Sequence, residues 1–440
     1  MDVVFSNTTE AFLDILNASS KQVGGLERIH REASLSQRAL FWLGDNKIVV
    51  TQTPIPSALI QQCKNITGWS TIDNWVPDSE RLDLCTAMLD NGKLFRQLVA
   101  LLKLRPKSRI SAYAPTKNFA TLIQNLRAAG CDFRTVENVS AEGLWIQAYL
   151  DSKAGFRLEA TRLQALLRNV FVPDGFVCSD EMAAEHAMAW FLSRSKGCVV
   201  KSDRGESGWG TLIFDQHDSI SSAISKFRQQ KEVDAIWSYT PIIVEERIHT
   251  SEDALISPSV ELFVSDDEVR ISYSCAQVIK KSEFRGVFLG PSSMLASVRQ
   301  EVEAVGKIFG ERYRELGYRG YFDVDFVVRS DGKSFVLETN MRRTGGTHVF
   351  DLSCCLGLSA ESHHYCSEDS VPLRATVSAA NVLNHFGPVL FERQNRTCGM
   401  IPTIVDPVSN TLGYIAVGRD EANILELQRN IRSLIDTYGG

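Results

Sequence analysis

The chain has 440 residues, a formal net charge of −6 and 44% hydrophobic residues. This length predicts two or three domains with a sizeable core, and the acidic balance argues against a nucleic-acid-binding surface. No apolar run approaches the ~18 residues that span a bilayer, and the N-terminus lacks the basic and apolar regions of a signal peptide. We therefore expect a cytoplasmic globular protein that binds neither nucleic acid nor membrane.

The first 150 residues alternate strand and helix patterns. The helix predicted here between Ser79, a plausible N-cap, and Leu104 has apolar residues at three- and four-residue steps. The other elements are strands over Lys47–Gln52, Arg109–Tyr113 and Asp132–Val136 and a helix over Asn118–Ala129. This alternation predicts a small open α/β domain, which lacks the Gly-x-Gly-x-x-Gly of dinucleotide binders. The loop Ala112–Lys117 follows a strand, where such sheets bind ligands, although a plain turn explains it equally well.

A second α/β region begins near Asp151, where Lys153 precedes a helix that runs to about Arg168. Asp180 is predicted to cap the next helix, which runs through Ser193. The elements that follow are strands over Cys198–Lys201, Leu212–Phe214, Pro241–Ile248, Ser259–Val264 and Val269–Val278 and helices over Ser219–Gln230 and Ser293–Leu316. The breaker pair Gly387-Pro388 then opens a C-terminal extension, residues 387–440, that we expect to pack on the core.

The cysteines do not indicate a disulfide scaffold. There are ten of them in this long chain, and most, such as Cys178, Cys198 and Cys275, lie in apolar stretches typical of reduced core thiols. One Cys/His cluster comprises Cys354, Cys355, His363, His364 and Cys366. Adjacent Cys-Cys and His-His pairs do not match the spacing of zinc ligands, so local packing is favoured over zinc.

Residues 320–347 carry the most informative pattern in the chain. A β-rich alternation over Phe322–Val328 predicts a strand, and the turn residues Ser330–Gly332 follow it. The strand pattern resumes over Ser334–Leu337. The segment is therefore predicted to be a β-hairpin.

Three polar side chains of this hairpin are candidate metal ligands, and a fourth is a candidate for binding an anion. Glu338 and Asn340 are two residues apart on a strand and so share a face, and the hairpin folds Asp325 back beside them. Two carboxylates and a carboxamide are hard oxygen donors suited to Mg²⁺ that carries nucleotide phosphates. Arg342, again two residues on, can bind an anion bidentately. An ordinary hairpin with solvated acids is the alternative.

Three weaker elements precede the hairpin. Lys201 ends a strand and is followed by a glycine loop, Gly205–Gly210, whose charge and backbone N–H groups can fold over polyphosphate. Taken alone, a plain turn is the favoured explanation, and the Walker A pattern is absent. Lys153 is a second candidate phosphate contact, or a surface lysine. The apolar strand that ends at Glu245-Glu246 can present backbone groups to adenine and a glutamate to ribose, or is an ordinary solvated strand end.

The order of these elements resembles the ATP-grasp superfamily of carboxylate–amine ligases over roughly residues 150–350. The resemblance implies an α/β fold class with an α+β catalytic core, in which two lobes, residues 151–250 and 251–386, grip ATP. It implies cofactor contacts from Lys153, Lys201, Ser207, Gly208, Glu245, Glu246, Ile248 and Glu261. It also implies Mg²⁺ ligands at Asp325, Glu338 and Asn340, and catalytic roles for Lys201, Arg285 and Arg342.

A closer resemblance concerns Asn340–Thr347, which is similar to the Asn-x-Arg-x-x-Gly-Gly-Thr signature of peptide ligases related to the pheganomycin ligase. In that group a pre-ATP-grasp domain precedes the core, and residues 1–150 are similar to it in length and pattern. Asp323 is a departure, since some dipeptide ligases have an arginine at that position. Arg285 or Arg342 would then supply the charge that holds the oxyanion, or a second ligand role for Asp323 would replace it.

The resemblance implies a ligase that activates a carboxylate as an acyl phosphate and joins it to the amine of an amino acid or peptide, in natural-product biosynthesis. It leaves room for a homodimer. A small-molecule kinase of the same fold and a nucleotide-binding regulatory protein without turnover are the alternatives. The substrates are not identified; Arg319, Arg343, His348 and His364 are candidates for selecting a carboxylate, with surface or structural roles favoured for each.

Overall fold

The computed structural model describes residues 1–20, 24–205, 208–250, 257–280, 283–394 and 398–438. Within these ranges the strands form three sheets of five, four and nine strands. In the same ranges, no helix combines the length and the apolar character that a membrane crossing demands.

The first sheet is parallel throughout and belongs to residues 1–150. Its strands are β1 (Asp2–Phe5), β2 (Lys47–Val50), β3 (Ile72–Trp75), β4 (Ser108–Ala112) and β5 (Phe133–Thr135). The helices are α1 (Thr8–Ala11), α2 (Leu13–Ser19), α3 (Gly25–Leu35), α4 (Ser57–Thr67), α5 (Leu84–Asp90), α6 (Gly92–Leu104), α7 (Lys117–Ala128) and α8 (Ala141–Leu150). The order β3-β2-β1-β4-β5 is that of a doubly wound sheet. The central β1 is accordingly apolar, and Val3, Val4 and Phe5 are fully buried.

The next region forms a small antiparallel sheet. The strands of this region of the chain are β6 (Val170–Phe171), β7 (Gly175–Cys178), β8 (Cys198–Ser202), β9 (Thr211–Phe214) and β10 (Ile242–Glu246). The helices of the region are α9 (Lys153–Leu163), α10 (Glu181–Leu192) and α11 (Ile220–Val233). The order is β7-β10-β8-β9, whereas β6 joins the large sheet. The Asp180 side chain caps α10 by accepting a hydrogen bond of 2.9 Å from the Ala183 N–H, and Ser219 caps α11 in the same way.

The large sheet extends to the C-terminal region. Its remaining strands are β11 (Pro258–Val264), β12 (Val269–Lys280), β13 (Glu283–Leu289), β14 (Gly320–Val328), β15 (Ser334–Asn340), β16 (His364–Pro372), β17 (Gly399–Asp406) and β18 (Thr411–Gly418). The helices are α12 (Ala296–Glu315), α13 (Thr347–Leu356), α14 (Ala379–His385) and α15 (Glu421–Thr437). Across the described residues the order is β17-β18-β16-β13-β12-β11-β14-β15-β6. Because β18 pairs with β16, residues 387–440 are joined to the core by strand pairing.

Strand β14 separates an apolar face from an acidic one. Phe322, Val324 and Phe326 are fully buried and belong to one apolar cluster with residues of α12. Since successive side chains alternate along a strand, Asp323 and Asp325 point to the opposite face. The hydrophobic core thus fixes the direction of both carboxylates.

Two features of the sequence prediction are wrong. The single helix expected over Ser79–Leu104 is two helices, because Asn91 ends α5 and its side chain caps α6 through the Leu94 N–H at 3.1 Å. The sequence pattern also misses several strands, among them β1, β3, β6, β7, β13 and β16. The last two carry polar residues because they line a cavity, for example Arg285 and Asp369.

Candidate active site

Both antiparallel sheets line one cavity of about 440 Å³. The small sheet contributes Lys201, Glu245 and Glu246, and the large sheet contributes residues from β12 to β16. The first domain adds Tyr113 from the end of β4 and residues of α3. The cavity therefore lies where the three parts of the chain meet.

The β14–β15 hairpin brings the predicted metal ligands together. Asp325 lies opposite Glu338 in the register, and Asp323 lies opposite Asn340. The Asn340 amide donates to an oxygen of Asp323 at 2.9 Å and to one of Asp325 at 3.2 Å. The other oxygen of Asp325 accepts from the Gln277 amide at 2.6 Å. Three acids and an amide thus share one small patch of the cavity wall.

Charge and burial act differently on these acids. Burial raises the pKa of Asp325 well above its ordinary value, and the neighbouring charges of Asp323 and Glu338 add to the effect. Burial likewise raises the pKa of Asp323, to about 7. For Glu338, burial also acts to raise the pKa, but the charges of Lys153 and Lys201 outweigh it and lower the pKa. The patch is therefore rich in negative charge and short of cations near Asp325.

The donor set fits a divalent cation of the Mg²⁺ type. Asp325, Glu338 and Asn340 offer hard oxygen atoms, and a cation would offset the burial and the repulsion from Asp323 and Glu338 that together raise the pKa of Asp325. In the described residues no three His, Cys, Asp or Glu side chains converge as a complete metal cage. Mg²⁺ is commonly bound through one or two carboxylates, with phosphate oxygens and water completing its shell.

Lys153 connects the glycine loop to the metal hairpin. Its ammonium group lies 3.3 Å from a Glu338 oxygen and donates to the Gly205 carbonyl at 3.3 Å. The next residue, Ala154, donates its N–H to the Asp203 carboxylate at 2.9 Å. Gly208 lines the cavity with a positive φ of 86°, a conformation that favours glycine. Ser207 lies outside the described residues.

Lys201 is held by a glutamate that was expected to contact the nucleotide. The Lys201 ammonium lies 2.7 Å from Glu245, which also accepts from Arg157 at 2.8 Å. Burial acts to lower the pKa of Lys201, but Glu245 and Glu338 outweigh it and raise the pKa, so the ammonium stays charged.

The adenine contact predicted for the Glu245 backbone does not agree with the geometry. Glu245 is paired on both sides within the sheet, with Gly175 and Val199, so its backbone is committed to strand pairing. Glu246 and Ile248 do line the cavity at the end of β10. The Glu246 N–H donates to the Asp174 carbonyl at 2.8 Å. Ile248 therefore remains the candidate for the adenine edge.

Arg342 is fixed by three partners. Its guanidinium donates to the Asp151 carboxylate at 2.8 Å, to the Asn340 carbonyl oxygen at 2.9 Å and to the Tyr113 hydroxyl at 3.3 Å. The side chain is almost fully buried but lines the cavity. Arg285 also lines the cavity, is about one third exposed and pairs with Glu283 at 2.6 Å. Both predicted catalytic arginines thus reach the same space.

Glu261 lies behind the site. It is fully buried, and one oxygen accepts hydrogen bonds from Thr347, from Thr344 at 3.0 Å and from Tyr273 at 3.3 Å. Burial raises its pKa to about 7. The cofactor contact predicted for Glu261 does not agree with this placement, because the side chain supports the loop after Arg342 and does not line the cavity.

Of the four residues considered for selecting a carboxylate, Arg343, Arg319 and His364 have structural partners. Arg343 is fully buried, and its backbone N–H donates to the Tyr113 carbonyl at 3.0 Å while its side chain donates to Ser111 at 2.9 Å. Arg319 pairs with Asp266 at 2.7 Å, and His364 is bonded to Ser292 at 2.9 Å. The last candidate, His348, is completely buried. These placements favour the structural roles.

The Cys/His cluster is dispersed in the fold. Cys354 and Cys355 lie on α13, whereas His364 and Cys366 lie on β16. The Cys366 sulfur accepts from the Gln428 amide at 3.1 Å. The described part of the chain gives these side chains separate partners, and no metal arrangement joins them.

The sequence analysis did not assign four residues that support the site, although one of them, Tyr113, lies in the loop Ala112–Lys117 that it considered for ligand binding and now lines the cavity. Asp151, Tyr113, Gln277 and Arg157 each hold one of the predicted residues in place. Asp151 was identified only as the start of a domain, and its position beside Lys153 was the one local signal. Tyr113 lies 229 positions from Arg342 in the sequence, so no local pattern connects the two.

Comparisons with known proteins concern the domain family and the fold of this chain. Residues 163–346 match the ATP-grasp domain family. A curated relative, the butirosin acyl-carrier protein–L-glutamate ligase of Niallia circulans, is 28% identical over 193 residues, which are 42% of this chain and 42% of that protein. The chain thus covers less than half of that relative's length.

Solved structures resemble nearly the whole chain. The biotin carboxylase domain of the Hydrogenobacter thermophilus 2-oxoglutarate carboxylase, solved with MgADP, has a TM-score of 0.57 at 12% identity and covers 99% of this chain and 90% of its own. The N5-carboxyaminoimidazole ribonucleotide synthetase of Thermus thermophilus has a TM-score of 0.51 at 14% identity, and the match covers 99% of this chain and 98% of that chain. At this identity the likeness concerns the fold.

Residues 163–346 of the chain therefore form an ATP-grasp domain. The predicted fold class and the ATP-grasp resemblance are confirmed. The closer similarity to pheganomycin-type peptide ligases and the individual site residues remain predictions, as do the domain boundaries.

Proposed function

We propose that this chain is an ATP- and Mg²⁺-dependent ligase that joins a carboxylate to an amine and releases ADP and phosphate. The observation that carries the proposal is the convergence of Lys201, Glu338, Asn340 and Arg342 on one cavity, with Lys153 paired to Glu338 beside it. Cationic side chains, acidic metal ligands and an anion-binding arginine are the parts that phosphoryl transfer requires. The relative from Niallia circulans is an L-glutamate ligase, which supports the same reaction class.

The residues divide the work by charge. Lys153 and Lys201 would hold the phosphates of ATP, and Asp325, Glu338 and Asn340 would hold Mg²⁺, which neutralises phosphate charge. The substrate carboxylate attacks the γ-phosphate to give an acyl phosphate and ADP. The amine then attacks the acyl carbon, and phosphate leaves. Arg342 would stabilise the negative charge that develops on the acyl phosphate.

We further propose that the acceptor is the amine of an amino acid or peptide and that the product belongs to natural-product biosynthesis. The Asn340–Thr347 segment, with its resemblance to peptide ligases, supports the peptide-like acceptor. The first domain supports the same view, because Tyr113 and α3 complete the cavity wall.

A substrate screen tests the proposal. Pairs of acids and amino acids are incubated with ATP and Mg²⁺, and nucleotides and products are measured by mass spectrometry. We expect ADP and phosphate together with a product lighter by one water than the two substrates. AMP and pyrophosphate would overturn the mechanism, and a stable phosphorylated product without an amide would indicate a kinase.

A further inference from the structure

One part of the cavity wall has no role in the reaction as proposed. It comprises residues of α3 and the turn after it, together with residues of β13 and β16: Arg31, Arg38, Arg285, Asp369 and Ser370. Arg38 and Asp369 bridge the first domain and the large sheet at 2.9 Å. Burial raises the pKa of Asp369 against the opposing charges of Arg38 and Arg31, which places Arg31 in the same neighbourhood.

Among the described residues Arg31 forms no ion pair at contact distance, although its charge and that of Asp369 act on each other. Arg38 is neutralised by Asp369, and Arg285 by Glu283, in ion pairs of 2.9 Å and 2.6 Å. For Arg31, by contrast, the Nε atom is buried without a hydrogen bond to the described residues. A buried donor without an acceptor destabilises the protein unless a ligand supplies one.

The wall continues directly from the reaction centre. Gly345, in the loop after Arg342, packs closely against the ring of Phe284, the residue that precedes Arg285. The contact is so close that the Cβ atom of any other residue at position 345 would lie 2.5 Å from this ring. A small acid held at Arg342 by one end therefore has Arg285 and the α3 wall within the same cavity.

We propose that Arg31, together with Arg285, binds a second carboxylate on the acid substrate, one that does not react. The inference rests on the proposed ligase function and narrows its substrate class to small acids with two carboxylates. A planar guanidinium binds a carboxylate through two parallel hydrogen bonds. Phosphate groups have their own cations, Lys153 and Lys201. Glu283, the present partner of Arg285, is half exposed, so its displacement costs little.

The binding test uses pairs of acids that differ in one charge. Succinate, glutarate and adipate are each compared with the monoamide by calorimetry in the presence of MgADP. The wild type is expected to bind at least one diacid about tenfold or more tightly than its monoamide, the scale of a charge-assisted hydrogen bond. Arg31→Gln and Arg285→Gln should lose this preference, Arg31→Lys should keep part of it, and Arg374→Gln, at an exposed ion pair, should keep all of it.

The proposal would be overturned if each diacid and its monoamide bound equally well, or if no diacid bound at all. It would also be overturned if Arg31→Gln kept the preference for the diacid. A last contrary result would be that Arg31→Gln weakens the binding of inorganic phosphate more than it weakens the binding of the diacid. Unchanged MgADP binding in each variant shows that the variant is folded. The comparison of diacid with monoamide in the wild type tests the proposal even if a variant fails to fold.

A turnover arm separates the two proposals. ADP release is measured with L-glutamate and L-glutamine as the acid and a panel of amino acids as the amine. Charge-selective binding without any turnover would reject the ligase function and keep the subsite. Turnover without preference for the diacid would keep the ligase and reject the subsite.

Discussion

The hydroxyl of Tyr113 accepts a hydrogen bond of 3.3 Å from Nε of Arg342, across the boundary between the first domain and the ATP-grasp domain. Tyr113 is itself stacked on Trp42, with ring centroids 6.2 Å apart. The backbone of the next arginine, Arg343, is bonded to the same tyrosine at 3.0 Å. The first domain therefore helps to hold the arginine that we assign to the acyl phosphate.

Removing this hydroxyl tests the connection. Tyr113→Phe keeps the ring and its stacking but leaves one guanidinium donor without its acceptor. Loss of one hydrogen bond corresponds to roughly a three- to tenfold effect, so we expect kcat/KM for the acid to fall by that factor with KM for ATP unchanged. Steady-state assays of ADP release measure both constants. The matched control is Tyr149→Phe, whose hydroxyl bonds Glu159 at 2.9 Å away from the cavity. An equal loss in both variants would contradict a positioning role for Tyr113.

Glu338 is the predicted metal ligand that pairs with Lys153, and its replacement tests the metal site. Glu338→Gln keeps the size and removes the charge that a divalent cation needs. We expect kcat to fall by about two orders of magnitude or more, the scale of a lost electrostatic interaction, and the Mg²⁺ concentration for half-maximal activity to rise. The control is Glu301→Gln, at a partly exposed acid that accepts a hydrogen bond from Asn169 and does not line the cavity. Near-normal turnover by Glu338→Gln would reject its assignment as a ligand.

Lys201 carries a separate prediction, because its ammonium faces Glu245 and not Glu338 directly. Lys201→Ala should lower kcat by about two orders of magnitude and weaken ATP binding. It also leaves Glu245 with one cationic partner, Arg157, so some loss of thermal stability is expected. Nucleotide titration by calorimetry separates the effect on ATP binding from the loss of stability. Normal ATP binding together with a normal kcat in Lys201→Ala would contradict the assignment of Lys201 as a phosphate-binding residue.

The sequence predicts the metal hairpin well and the walls of the cavity poorly, for physical reasons. Asp325, Glu338 and Asn340 follow from strand alternation and a tight turn, which are local properties. The contact between Tyr113 and Arg342 depends on how two domains pack, and no local pattern encodes it. Glu245 shows the same limit, because its ion pairs with Lys201 and Arg157 appear only when β10 lies beside β8.

Strand β13 shows a related difficulty. A half-polar strand inside a large sheet is hard to distinguish from a loop when its polar face lines a cavity, and Arg285 lies on such a strand. The polar residues of β13 prevented its prediction as a strand from the sequence. In the fold, the same residues line the cavity and form a binding surface.

Glu261 predicts a pH dependence of stability. Burial raises its folded-state pKa from 4.5 to about 7, so between these values the native state binds more protons than the unfolded state. The contribution of Glu261 to stability is thus fully present below pH 4.5 and is lost as the pH rises through 7. A shift of this size corresponds to at most about 3 kcal/mol. Glu261→Gln keeps the shape and cannot ionise, so its free energy of unfolding relative to the wild type should rise between pH 5 and 8. Urea titrations at several pH values measure the difference, and a constant difference across this range would contradict the buried ionisation.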